Sequence, residues 1–465
     1  MAKIIFINPN TQYARGVNKS VVTTPLGLAY LAAVLEKNQH ETQIIDANIL
    51  CIGPEKITDS FNFKPDLIGI SANIISYRGA VECAKHIKTS YPGTPIVFGG
   101  PHSSSVPECI LKNNPSIDAI VIGEGENTLL EITDSIRNGL VFSGIKGVAW
   151  REKGQIVKNA PRPLVENLDE IPFPAYHKLP DLARYKTRSR AMPVGYIITS
   201  RGCSYQCSFC NKNIFGNIWR PHSVKRVVDE IAYLVERYHI KQLDILDDNF
   251  TFDAKRAGEV LDCLAKNFKL KVNLQNGIRI DRTDKDLLFK MKKAGVFRIA
   301  FGVESANLEV QRKAGKVIDL EKAVELTRFA RSLGIVTYGF FMIGLPGESA
   351  ESIKETIDFS VKMNPHFATF QICIPFPGTQ IWEDVKKNGL LLEEVDNGVE
   401  CGYFGSKVFF KPGPIEPNEI ILYFKNAYRK FYLRPSKILD TLSTIKSVGE
   451  FSWFLKIIND TIKLA

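Results

Sequence analysis

Short runs of Ile and Val, apolar on both faces, recur along this chain, each followed by turn residues and then a helical pattern. A strand that is apolar on both faces must be covered on both faces, which places it in a parallel sheet between helix layers. Two such series exist. The first holds residues 3–8, 42–46, 66–71, 95–99 and 119–123, with helical patterns at 26–37 and 78–89 between them. It predicts a doubly wound, Rossmann-like α/β domain over residues 1–145. The second series holds residues 194–199, 242–247, 270–276, 298–303, 335–343 and 367–374. Six βα units predict a partial (β/α)6, TIM-type barrel over residues 194–400. Residues 145–160 read as a hairpin. Residues 161–193, rich in Pro, Arg and Tyr, read as a linker, so that 146–193 separates the two domains. Residues 401–465 form a mainly helical extension.

Function belongs at the carboxyl ends of parallel strands. In the first series those ends carry Asn8, Asp46, Ser71 and Asn73, Gly99-Gly100-Pro101-His102, and Gly123-Glu124-Gly125-Glu126. In the second, the first strand runs into Arg201-Gly-Cys203-Ser-Tyr-Gln-Cys207-Ser-Phe-Cys210. Three thiolates at CxxxCxxC spacing can hold three irons of a cubane cluster and leave the fourth iron open. Zinc would need a fourth ligand, and the nearest downstream histidine is His222, 12 residues past Cys210.

Composition narrows the function classes. The formal charge is +10. No basic block of five residues appears, so the charge reads as a solvated surface and no nucleic-acid partner is expected. Part of the excess is local: residues 421–465 hold eight Lys/Arg against three Asp/Glu. No apolar run of 18 residues exists. Nine cysteines in 465 residues do not suggest a disulfide scaffold. An oxygen-sensitive cluster points to a reducing compartment, and cytoplasm is expected. The tail carries Phe424, Tyr428, Phe431, Tyr432, Phe451, Trp453 and Phe454. Core packing is the first reading of these aromatics; a substrate lid or a membrane-surface contact is the other.

The cysteine stretch, with the aromatic Phe209 before its last cysteine, resembles the signature of radical S-adenosylmethionine (SAM) enzymes. The resemblance implies that the open iron chelates the amino and carboxylate groups of SAM, and that one electron then yields a 5′-deoxyadenosyl radical. It also implies an external electron donor such as flavodoxin or ferredoxin. Cys203, Cys207 and Cys210 would be the metal ligands and catalytic core. Glu304, at the end of the fourth strand, would accept the ribose hydroxyls of SAM. Lys316 falls where the family often has a base for the methionine carboxylate, and Gln275 would face the cofactor. Asp247 either accepts hydrogen bonds from the methionine amino group or shapes the neighbouring loop, and the plainer reading is a helix cap. Gly344-Leu-Pro-Gly347 would let backbone approach the adenine.

The first domain is similar to cobalamin-binding domains that precede radical SAM barrels. Its pieces are residues 25–32, 99–108 and 123–126. The resemblance implies cobalamin along Asn8, Ser71, Asn73, Gly99, Gly100, His102, Gly123 and Glu124, with a hydrogen-bonding role preferred for His102. The Asp-x-His-x-x-Gly motif of many cobalamin proteins is absent. A dinucleotide is disfavoured because no GxGxxG follows the first strand. Together the resemblances imply a cobalamin-dependent radical SAM methyltransferase. It would pass a methyl group from SAM through methylcobalamin to an unactivated carbon of a small molecule or peptide, after hydrogen abstraction by the deoxyadenosyl radical. A cyclase, ring-contraction or oxidation enzyme on the same fold is the alternative. An RNA methylthiotransferase is the next. It would need three clustered cysteines in the first domain, where Cys51, Cys83 and Cys109 are scattered. A non-catalytic corrinoid carrier or sensor is disfavoured by the intact triplet.

Overall fold

The computed structural model describes residues 1–11, 23–136, 139, 141–185, 189–274, 276–395, 407–445, 451 and 455. They form two compact units. The first comprises Met1–Thr187, Asn211–Arg220 and Glu394–Tyr403; the second comprises Arg188–Cys210, Pro221–Glu393 and Phe404–Ala465. Helices of eight or more residues are labelled.

The first unit is built on a seven-stranded sheet. Its elements are β1 (Lys3–Asn8), α1 (Leu26–Lys37), β2 (Glu41–Asp46), β3 (Leu67–Ser71), α2 (Tyr77–Ser90), β4 (Ile96–Gly99), β5 (Ala119–Val121), α3 (Glu126–Ser135), β6 (Val148–Glu152) and β7 (Gln155–Lys158). The strand order is β2-β1-β3-β4-β5-β6-β7. The first five strands are parallel, and the hairpin β6–β7 extends the sheet antiparallel. Alternation along β1 explains the two cores. Ile5 and Ile7 pack with Ile68, Ile70 and Phe98 against Ala80, Ala84 and Ile87 of α2. Ile4 and Phe6 pack with Val97 and Val121 against Ala29, Ala32 and Leu35 of α1. Each buried Ile or Val contributes roughly 1.5–3 kcal/mol, which is why both faces must be covered. The order 2-1-3-4-5 reverses between β1 and β3, so the crevice outside their carboxyl ends is the expected ligand position.

The second unit holds six parallel strands: β8 (Val194–Ile197), β9 (Gln242–Ile245), β10 (Lys271–Leu274), β11 (Val296–Glu304), β12 (Val336–Ile343) and β13 (Phe367–Ile372). They lie in chain order from β8 to β13, and the sheet is open. This is the partial barrel that the sequence leads one to expect. The connecting helices are α4 (Val224–Tyr238), α5 (Ala254–Asn267), α6 (Lys285–Lys293), α7 (Leu320–Ser332) and α8 (Ala350–Met363), followed by α9 (Gln380–Lys387). A side chain caps each crossover helix: Ser223, Asp253, Asp284, Asp319 and Ser349 each accept from the backbone N–H three residues on.

Two further helices follow, α10 (Pro417–Tyr432) and α11 (Pro435–Thr444). Phe424, Tyr428, Phe431 and Tyr432 of α10 are buried, which bears out core packing for them. Tyr432 Oη accepts from Ala368 N at 3.0 Å and donates to Ala368 O at 2.8 Å. Tyr428 Oη makes the same two bonds to Phe370, at 3.3 and 3.2 Å. The hydroxyls thus occupy the open backbone groups of the edge strand β13. Phe451 is exposed; Trp453 and Phe454 lie outside the described residues. No helix among the described residues is long and apolar enough to cross a membrane.

Candidate active site

The cysteine loop follows β8 and is held from several sides. At its start, Asp247 is buried and accepts from Thr199 N, Thr199 Oγ1 and Ser200 Oγ, each at 2.6 Å. Burial raises the Asp247 pKa against those hydrogen bonds. Arg256 reinforces the same turn through Thr199 O at 2.7 Å and His222 O at 2.8 Å. Asp247 therefore shapes the entry to the loop. Gly202 N donates to Asp248 Oδ2 at 3.2 Å.

At the other end, Ser208 N donates to Ala314 O at 2.9 Å and Ile381 N donates to Ser208 O at 3.0 Å. Phe209 packs into an apolar cluster with Val310, Leu345, Ile381 and Phe410. Gly315 lies against the loop: a Cβ there would stand 2.3 Å from Gln206 O, and its φ is +67°. Only glycine meets both conditions without strain.

Cys207 is buried and Cys210 is exposed. The Cys210 thiol bonds to Cys207 and pulls it down to about 6, against its burial and helped by the charges of Lys316 and Arg279. The same bond, with the charge on Cys207, pushes Cys210 up. Among the described residues no three His, Cys, Asp or Glu side chains converge as a ready-made metal site. The donor set nevertheless fits an iron–sulfur cubane: three cysteines on one eight-residue loop, the middle one favouring its thiolate beside two cations.

Glu304 ends β11. Its φ is +66°, rare for a residue with a Cβ, and Ser305 N closes a tight turn onto Val303 O at 2.9 Å. Such a conformation costs of order 1–3 kcal/mol and persists only where its surroundings hold it. Lys316 Nζ lies 2.7 Å from Glu304 Oε1, with both side chains largely buried. The pair lies over Gly302, where a Cβ would meet Lys316 Nζ at 2.5 Å and Glu304 Oε1 at 2.7 Å. Of the predicted SAM contacts, the structure thus brings Glu304 and Lys316 together; Gln275 lies outside the described residues. An acid-and-base pair at a strand carboxyl end, beside the cysteine loop, fits a zwitterionic ligand such as SAM.

After β12, Gly344 and Gly347 both have positive φ. Glu348 is buried beneath this turn and accepts from Gly344 N at 2.6 Å and Leu345 N at 3.1 Å, while Oε1 has no partner among the described residues. Burial pushes its pKa up to about 8. Tyr205, Arg279 and Glu348 were not singled out by sequence reasoning. An aromatic inside the cysteine spacing, an Arg-x-Asp-Arg run at a strand end and an acid closing a Gly-x-x-Gly turn were the signals available.

In the first unit the predicted contacts gather at the carboxyl edge of the sheet. Asn8 pairs in register with Asp46 and donates to its Oδ1 at 2.8 Å, and Tyr185 donates to Oδ2 at 2.8 Å. Asn73 Oδ1 accepts from Ile75 N and Ser76 N, both at 2.9 Å, ahead of α2. Ser71 pairs with Gly99. Gly100 has φ +96°, and a Cβ there would meet Ala72 O at 2.9 Å and Ser71 Oγ at 3.2 Å. Gly123, also at positive φ, donates to Ser104 Oγ at 3.1 Å. His102 is buried and meets the Tyr77 ring at a 60° tilt with centroids 4.7 Å apart. Glu124 is held by Arg220 through two bonds of 2.9 and 3.1 Å, and by Val165 N at 2.9 Å. Both of its oxygens are engaged, so Glu124 acts as a clamp at this edge. Glycines that bring backbone close, with a buried Ser103 hydroxyl that has no partner among the described residues, fit a corrinoid tail along the edge.

Residues 197–360 match the Radical SAM superfamily and residues 16–133 match the B12 binding domain. A Pyrococcus horikoshii protein named uncharacterized methyltransferase PH0819 is 34% identical over 466 residues, covering 97% of this chain and 96% of the relative. Cytidylyl-2-hydroxyethylphosphonate methyltransferase of Streptomyces wedmorensis is 29% identical, covering 84% of this chain and 82% of the relative. Among solved structures, the cobalamin-dependent S-adenosylmethionine radical enzyme OxsB, with aqua-cobalamin and S-adenosylmethionine bound, superposes with a TM-score of 0.73. It is 18% identical and covers 99% of this chain and 70% of OxsB, a likeness of fold.

Proposed function

We propose that this chain, which belongs to the cobalamin-dependent radical SAM enzymes, transfers a methyl group from SAM to an unactivated carbon of a small-molecule or peptide substrate. The observation that carries this reading is the anchored cysteine loop beside the Glu304–Lys316 pair, in a chain matched nearly end to end by a methyltransferase-named relative. When bound, the cluster supplies the electron that cleaves SAM and the corrinoid carries the methyl group.

The protein positions and shields. Cys203, Cys207 and Cys210 hold three irons, and the bonds from Ala314, Ile381 and Asp248 keep their loop in place. Glu304 offers its carboxylate to the ribose hydroxyls, and Lys316 offers its ammonium to the methionine carboxylate. The backbone of the turn at Gly344 to Gly347 approaches the adenine. In the first unit Asn8, Ser71, Asn73, Gly99, Gly100 and Gly123 would hold the corrinoid. A low-potential electron donor such as flavodoxin or ferredoxin, and a reducing cytoplasm, complete the reading.

The test uses anaerobically reconstituted enzyme, a chemical reductant, methyl-labelled SAM and candidate substrates. A product heavier by one CH₂, about 14 mass units, with the label retained, is the expected result. A product of unchanged or lower mass from a substrate that is consumed overturns methyl transfer. Cys210→Ala is expected to end SAM cleavage while the protein still binds corrinoid. Cleavage at the wild-type rate in that variant overturns the cluster assignment.

A further inference from the structure

Tyr205 stands between the first two cysteines of the loop, and one cation lies flat against it. The Arg279 guanidinium is 3.5 Å from the Tyr205 ring centroid, and its Nε donates to Asp281 Oδ1 at 2.8 Å. The Tyr205 hydroxyl donates to Asp281 Oδ2 at 2.9 Å and accepts from Arg282 Nε at 2.7 Å. Phe252 meets the ring edge-on at 5.8 Å. The cysteine loop is therefore bolted through one ring to the segments that follow β9 and β10.

The bolt alone would need no particular charge, yet it holds one. The Arg279 side chain is 12% exposed, whereas that of Asp281 is 35% exposed and also shared with Tyr205 and Arg282. The acid is better solvated than the guanidinium, so positive charge is left on the loop side. That charge rests on the ring of Tyr205, two residues from both Cys203 and Cys207. A cubane on three thiolates is anionic, and its reduction adds one more negative charge. A fixed cation in a poorly solvated place stabilises the reduced form more than the oxidised one.

We propose that Arg279 is a positioning residue that raises the reduction potential of the cluster held by Cys203, Cys207 and Cys210. The step it favours is the transfer of one electron from an external low-potential donor to the cluster; the donor is oxidised and no bond is made. The proposal rests on the cluster assignment given above.

The test is a redox titration of the reconstituted protein with dithionite, followed by the electron paramagnetic resonance signal of the reduced cluster. Arg279→Gln is expected to load iron and to show about a tenfold lower reduced-to-oxidised ratio at the wild-type midpoint, a fall of about 59 mV for one electron. Arg279→Lys, which keeps the charge, is expected to recover most of it. An unchanged midpoint in Arg279→Gln overturns the proposal, as does an equal fall in Arg279→Lys, which would make geometry the cause. If Arg279→Gln does not load iron, Asp281→Asn decides: loss of the counter-charge is expected to raise the midpoint, and an unchanged or lower midpoint overturns the proposal. Cys203→Ala separates the two readings. A normal cluster signal in that variant sinks the cluster assignment itself, whatever Arg279 does.

Discussion

A single hydrogen atom at Gly315 decides where the cysteine loop lies. Any side chain there would meet Gln206 O at 2.3 Å and would also have to adopt φ +67°. The left-handed conformation alone costs roughly 1–2 kcal/mol for a residue with a Cβ, and a backbone oxygen cannot rotate away. Gly315→Ala is expected to keep the overall secondary structure by circular dichroism but to lose most of its iron on reconstitution. Full iron content would show that the loop shifts freely and is not held by this contact. The cysteines themselves were legible because their spacing is local and their chemistry is shared by few other patterns. Gly315 was not legible, because the atom that excludes a side chain lies more than a hundred residues earlier in the chain. Asp247 lies between these cases. Its place at a strand end could be read, but the choice between ligand contact and loop shaping depended on Thr199 and Ser200.

Helix starts and buried strands are the elements that sequence reads best. Ser223, Asp253, Asp284, Asp319 and Ser349 cap their helices through bonds spanning three residues, so both partners sit in one short window. The aromatic helix α10 was harder. Its periodic Phe and Tyr residues favoured a core over a lid or a membrane surface, but the pattern did not say what they pack on. Its role emerged from β13, whose backbone groups at Ala368 and Phe370 are met by Tyr432 and Tyr428. Tyr432→Phe removes a donor and an acceptor from a buried pair of backbone groups. A destabilisation of about 1–3 kcal/mol is expected from urea unfolding, with cluster content unchanged. An unaltered unfolding midpoint would show that the hydroxyl adds nothing to the edge.

At the scale of the whole molecule, the chain does not divide into consecutive blocks. Asn211–Arg220 and Glu394–Tyr403 belong to the first unit although barrel strands lie before and between them. Arg220 shows the consequence. It neutralises Glu124 across 96 residues of sequence, and the side chains of both are nearly inaccessible. Breaking a buried pair from one side leaves an uncompensated charge at a cost of about 3–5 kcal/mol. A fragment of residues 1–187 is therefore expected to be unstable, and the same fragment carrying Glu124→Gln to melt higher. Equal melting temperatures would show that water replaces Arg220 at no cost. The sequence by itself determined two parallel α/β series, the CxxxCxxC triplet and the glycine-marked strand ends, because each is a pattern of near neighbours in the chain. Only the tertiary structure decided that Glu124 is a clamp, that Lys316 pairs with Glu304, and that Tyr205 carries Arg279 to the cysteine loop. Those pairings depend on strand register and on where loops from distant segments end, and no local period encodes either.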